Sequence, residues 1–163
     1  MDTRLAPHPP TSPGIRPTGT STPHLPPLAP RPAEPPAWTH RLLPASVRHV
    51  LAGLGWWNNP DPQPPSAHLE QTLTVLRRYG WCQSLDVTPT GRLCIRGAQN
   101  LLVKTGHTTP ANRERAVAYM QQALASAGIT MQYFAWNDLP DQQFSAVEQL
   151  LTQAADLARQ NGE

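Results

Sequence analysis

Two cysteines, Cys82 and Cys94, and two histidines, His68 and His107, are the side chains best suited to covalent or metal chemistry in this 163-residue sequence. A thiol enzyme needs a nucleophile within reach of a base and a group that orients the base. No local signature here pairs either cysteine with a histidine. As zinc ligands the four would be separated by 14, 12 and 13 residues, whereas structural zinc sites use close pairs such as C-x₂-C. Ordinary semi-buried thiols and no metal are therefore expected. Phosphate-cradling signatures of the G-x-G-x-x-G or G-x₄-G-K-[ST] kind are absent, and with them the motif-level case for a nucleotide cofactor. The remaining candidates are polar. Trp81, Gln83, Asp86, Arg92, Arg96, Asn137 and Asp138 could meet on one open face and contact a ligand or partner. The competing reading is surface charge pairing for the arginines, turn and cap hydrogen bonds for Asn137 and Asp138, and core packing for the tryptophan.

These groups need elements to position them. Ser84-Leu85-Asp86-Val87-Thr88 and Arg92-Leu93-Cys94-Ile95-Arg96 both alternate polar and apolar residues around Pro89-Thr90-Gly91. That is turn chemistry for a β-hairpin. The register would set Val87 opposite Leu93 and Leu85 opposite Ile95 on the core side, with Asp86 facing Cys94 and Ser84 facing Arg96. Cys82 would then lie about 13 Å from Cys94, too far for a disulfide, so two free thiols are expected.

Helical spacing accounts for most of the rest. Leu69, Leu73 and Leu76 predict a helix over 67–79 with Ser66 as its cap and Gly80 as its stop. Ala98, Leu101 and Leu102 suggest a short helix to Thr105. Thr109-Pro110 opens a helix over 110–127 that Gly128 ends. Ile129 to Trp136, rich in β-branched and aromatic residues, reads as a third short strand or a core-lining loop. Ser145 to Glu148 fits a capping box, and Val147, Leu150, Leu151, Ala154, Ala155 and Ala158 form the buried face of a final helix.

Seventeen of the 20 prolines precede Ser66. Residues 1–43 accordingly read as a disordered, extended arm that has too little to bury; Leu25 to Arg31 (LPPLAPR) has the look of a polyproline ligand, against the blander reading of a spacer. Residues 44–65 form a helix and a proline-rich linker. There Val47, Val50, Leu51 and Leu54 make one apolar stripe before Trp56-Trp57, and a helix this short needs something to cover it. The expected fold is α+β: a small, mostly helical domain over 66–160 with one β-hairpin, behind a proline-rich arm.

Charge excludes little but weighs against nucleic acid. From Ser66 onward, eight Lys/Arg balance eight Asp/Glu, where strong nucleic-acid binding calls for a basic face. No helix-turn-helix or zinc-finger pattern occurs, and Arg77-Arg78 and Arg113/Arg115 read as solvated helix faces. Lys104 is the only lysine among 13 basic residues, a bias that suggests a GC-rich genome. The start lacks the apolar stretch of a secretory signal. No apolar run approaches the about 18 residues of a membrane span, and two cysteines make no disulfide framework, so a cytoplasmic location without membrane contact is expected.

The motifs Gly80-Trp81-Cys82-Gln83, Gly91-Arg92-x-Cys94, Arg96-Gly97-Ala98 and Trp136-Asn137-Asp138-x-Pro140 resemble those of an uncharacterised family from actinobacteria and their phages, domain of unknown function 6197, over roughly residues 68–158. Members often carry Trp-Thr-Gln-Gly; here Cys82 and Ser84 replace the Thr and the Gly. Gln143 stands where many have a Thr before the last helix. The resemblance implies domain limits and no activity. Three functions remain in view: a non-catalytic interaction module with a protein partner, a small enzyme using Cys82 or Cys94, and a phage- or plasmid-associated nucleic-acid accessory protein.

Overall fold

A computed structural model describes Pro36, Thr39 and residues 42–163 except Asn59. The expectation of a disordered arm over 1–43 falls almost wholly outside the described residues. Six helices are described: α1 (Ala45–Gly53), α2 (Pro65–Tyr79), α3 (Ile95–Lys104), α4 (Pro110–Ser126), α5 (Tyr133–Asn137) and α6 (Phe144–Gln160). None is long and apolar enough to cross a membrane.

The core lies among the long helices. α6 packs on both α2 and α4, and α3 packs chiefly on α2. Leu69, Leu73 and Leu76 of α2, Met120 and Leu124 of α4, and all six residues expected on the face of α6 are buried. Pro65 takes the first position of α2, so Ser66 is an internal, buried residue and not the cap. Gly80 ends α2 at a φ of 86° that only glycine adopts freely. Thr109 caps α4 by accepting a hydrogen bond from the Asn112 amide at 3.1 Å. The capping box at Ser145 is not used. α6 starts at Phe144 with Gln143 as an N-cap that makes no side-chain bond, and Glu148 pairs with Arg77 at 2.7 Å.

The expected β-hairpin does not form, and the described residues are mostly helical with a structured loop over residues 80–94. Two isolated bridges occur there, Val87 with Leu93 (antiparallel) and Trp81 with Leu93 (parallel). The turn itself is present: the Thr88 amide donates to the Arg92 carbonyl and the Gly91 amide to the Thr88 carbonyl, both at 2.9 Å. The ladder stops for two reasons. The Leu93 amide donates to Gly80 O at 2.9 Å and its carbonyl accepts from the Cys82 amide at 3.0 Å, so its main chain serves the start of the loop. Beyond it, Ile95, Ala98, Gln99 and Leu102 form a helical stripe, and Cys94 caps α3 through its sulfur, 3.4 Å from the Gly97 amide. On the other side Ser84 bends the chain at φ 65°. Leu85 and Val87, expected in the core, are 52% and 51% exposed. The third strand is also absent. Tyr133 and Trp136 bury one side of the single-turn helix α5 instead.

Both cysteines are free thiols, as expected, although the strand register used to argue for them is not the reason.

Candidate functional site

The seven polar candidates fall into two separate networks and one isolated residue. In the first, the loop after α2 is stapled to the turn after α5. Trp81 Nε1 donates to Asn137 Oδ1 at 2.8 Å. Asn137 Nδ2 in turn donates to Asp138 Oδ1 at 2.7 Å and to the Cys82 carbonyl at 3.5 Å. The Ser84 amide donates to Asp138 Oδ1 at 2.7 Å, and Gln83 Nε2 to the Leu139 carbonyl. The Trp81 ring stacks on Phe144 with centroids 6.1 Å apart. Asn137 is buried, and a buried amide is retained when its hydrogen bonds are made.

The second network centres on Asp86. Its Oδ1 accepts from Arg96 Nε at 2.7 Å and lies 3.5 Å from the Cys94 sulfur, while Oδ2 accepts from Asn100 Nδ2 at 3.3 Å. The Arg96 guanidinium stands 5.9 Å from the centre of the Phe134 ring, a cation–π distance. The ion pair is exposed, so it contributes at most about 1 kcal/mol. Asp86 thus ties its loop to the first turns of α3. Arg92 joins neither network; its exposed side chain lies over Gly80. Arg92 apart, the groups gathered in this region are engaged with one another.

The thiols are poorly placed for nucleophilic chemistry. Burial, with the negative charge of Asp86, pushes the Cys94 thiol up to about 11, against the opposing hydrogen bond from the Gly97 amide. Partial burial also raises Cys82, with Asp138 and Asp86 adding to it and Arg92 opposing. Both are protonated at neutral pH, the inert form. His107 is engaged with Thr105, the Oγ1–Nδ1 distance being 2.9 Å. Among the described residues no group of three or more His, Cys, Asp or Glu could hold a metal ion.

Two features escaped the sequence. The first is the orientation of α1. Its buried residue is Arg48, 4% exposed, while Val50, Leu54 and Trp56 are 63%, 58% and 77% exposed. Arg48 NH1 donates to the Thr105 carbonyl at 2.7 Å and NH2 to the Lys104 carbonyl. Those acceptors lie at the C-terminal end of α3, where carbonyls lack helical partners and the dipole is negative. A lone arginine beside an apolar stripe was the only signal, and it did not say which side faces inward.

The second is a buried polar set. His68 and Gln71 of α2 and Gln99 of α3 are buried in the core, and none of their side-chain nitrogens or oxygens has a hydrogen-bond partner. Burial, and secondarily the charge of Arg113 on α4, lowers the His68 pKa to about 4, so its imidazole is neutral. Their scattered positions, 68, 71 and 99, gave no motif.

The model of a family of unknown function, DUF6197, matches residues 60–157. No curated protein matches the chain, and no solved structure does.

Proposed function

Because the chain belongs to DUF6197, a family of unknown function, its role must be read from its own surface, and we propose that it is a non-catalytic interaction module that engages a protein through the outer face of α1. The observation that carries this reading is the inverted packing of that helix. An ordinary surface helix turns its apolar stripe to the core. Here Arg48 anchors α1 by capping α3 and Leu51 is half-buried, while Val47, Val50 and Leu54 are exposed, with Trp56 exposed just beyond. Contiguous exposed apolar surface of this kind is characteristic of protein contact sites, and an exposed tryptophan is a frequent energetic anchor in them. The raised thiol pKa values weigh against the cysteine-enzyme alternative.

The test compares the full chain with its Val50→Asp/Leu54→Asp double variant. Neither residue holds α1 in place, so the melting temperature should be unchanged. The wild type should retain a defined protein on affinity purification from its native host, or self-associate in sedimentation, and the variant should lose that contact. Identical binding and sedimentation by the two proteins would overturn the proposal.

A further inference from the structure

Glu70 and Arg77 of α2 pair with Arg159 and Glu148 of α6, which sets residues 70, 73 and 77 on the α6 side. With 3.6 residues per turn, His68 and Val75 fall on the opposite side of α2, flanked by Gln71 and Thr72. That side is left to α3 and α4, which both pack on α2. On α3, Gln99 belongs to the buried stripe of Ile95, Ala98 and Leu102, and α2 is the main neighbour of that helix. His68 and Gln99 are fully buried and Gln71 is 3% exposed. Both ring nitrogens of His68 and both amide atoms of each glutamine lack a partner. Thr72, by contrast, is satisfied by the His68 carbonyl at 2.8 Å.

We infer that His68, Gln71 and Gln99 face one another across the α2–α3 contact and enclose one internal site that binds ordered water. A buried polar atom with no partner forfeits its hydration outright, and three such side chains converging from two helices concentrate that loss in one place. The chemistry of the set selects the guest. A neutral imidazole offers one donor and one acceptor; each glutamine amide offers two donors and an oxygen that accepts twice. Donors and acceptors are therefore equally supplied. An anion calls for donors and a metal cation for acceptors, whereas an even mixture suits a small uncharged molecule that does both. Buried water typically makes about three hydrogen bonds to groups left unsatisfied in this way. The α2–α3 contact is thus a wet seam.

The test uses the full chain in solution. Long-lived internal water is read from water ¹⁷O relaxation dispersion and from cross-relaxation between water and the side-chain amide protons of Gln71 and Gln99. The expected result is direct water cross-peaks to both amides, with the dispersion amplitude reduced in Gln71→Met/Gln99→Met. Cross-peaks that join the two amides to each other or to the His68 ring, without any to water, would overturn the inference. So would a dispersion amplitude identical in the wild type and the folded double variant. Should the variant not fold, the wild-type cross-peaks decide alone.

Discussion

The carbonyl oxygen of Asp86 lies where a side chain at residue 97 would have to be: a Cβ built on Gly97 would sit 1.8 Å from it. The loop that carries Asp86 rests on the backbone of α3, and the Arg96 and Asn100 bonds to the Asp86 carboxylate are made at that same close approach. Gly97 belongs to a helix, where alanine is normally favoured over glycine by about 1 kcal/mol. Gly97→Ala should reverse that sign, because the obstructing atom is main chain. A net loss of about 1–3 kcal/mol is expected in urea unfolding. Gly53→Ala serves as the control: nothing lies within 4 Å of its added Cβ, and it should be neutral or stabilising.

Ser84 holds a left-handed backbone, φ 65°, at a cost of about 1–2 kcal/mol for a residue with a Cβ. Its described hydrogen bond is made by the main-chain amide to Asp138, so removing the side chain sacrifices none of it. Ser84→Gly should stabilise the fold by about 0.5 kcal/mol, after part of the gain is lost to the freer unfolded chain. Thermal melts of the two proteins in parallel check this.

Gln143 occupies the N-cap of α6 with extended geometry, φ −111° and ψ 146°, and no side-chain cap bond. A threonine there can accept from a first-turn amide. Gln143→Thr should add about 0.5–1 kcal/mol, seen as a rise in Tm of a few degrees.

His68 makes stability depend on pH. Its imidazole titrates near 6.5 in the unfolded chain and at about 4 in the fold. Between those values the unfolded state binds more protons, so the contribution is fully present above pH 6.5 and is lost as pH falls toward 4. The full effect is about 3 kcal/mol. Urea unfolding at pH 7 and pH 4.5 should show a steeper acid loss in the wild type than in His68→Gln, whose side chain cannot titrate.

Thiol labelling addresses the chemistry directly. Both thiols are raised, Cys94 to about 11, so iodoacetamide at pH 7 should modify the folded protein more slowly than a free cysteine. Cys82, the less buried of the two, should react before Cys94, and denaturant should equalise them. Labelling faster than free cysteine at either position would restore the case for a nucleophile.

Legibility followed how local the deciding interactions are. The apolar face of α6 was readable residue by residue, and Thr109-Pro110 marked the start of α4, because side chains three and four apart report directly on a helix. The motif string from Gly80 to Pro140 likewise placed the family on nearly the residues that match it. Of the polar candidates, the sequence singled out Trp81, Gln83, Asp86, Arg92, Arg96, Asn137 and Asp138 as one set. It could not show that these become two self-satisfied networks, or that Arg92 joins neither. The unpartnered His68, Gln71 and Gln99 lay in helical stretches where polar residues usually face water, and only packing from α3 and α4 buried them.

The sequence by itself determined the long helices, the Pro89-Thr90-Gly91 turn and the glycine stops, since each is decided by a few neighbouring residues and their backbone preferences. Tertiary structure alone decided that residues 80–94 form a loop and not a hairpin. Alternation in two five-residue stretches permits pairing, but the Leu93 main chain is claimed by Gly80 and Cys82 and the next turn is claimed by α3. It also decided which way α1 faces: the carbonyls at the end of α3 take Arg48, Leu51 is half-buried on the same side, and Val47, Val50 and Leu54 are left exposed.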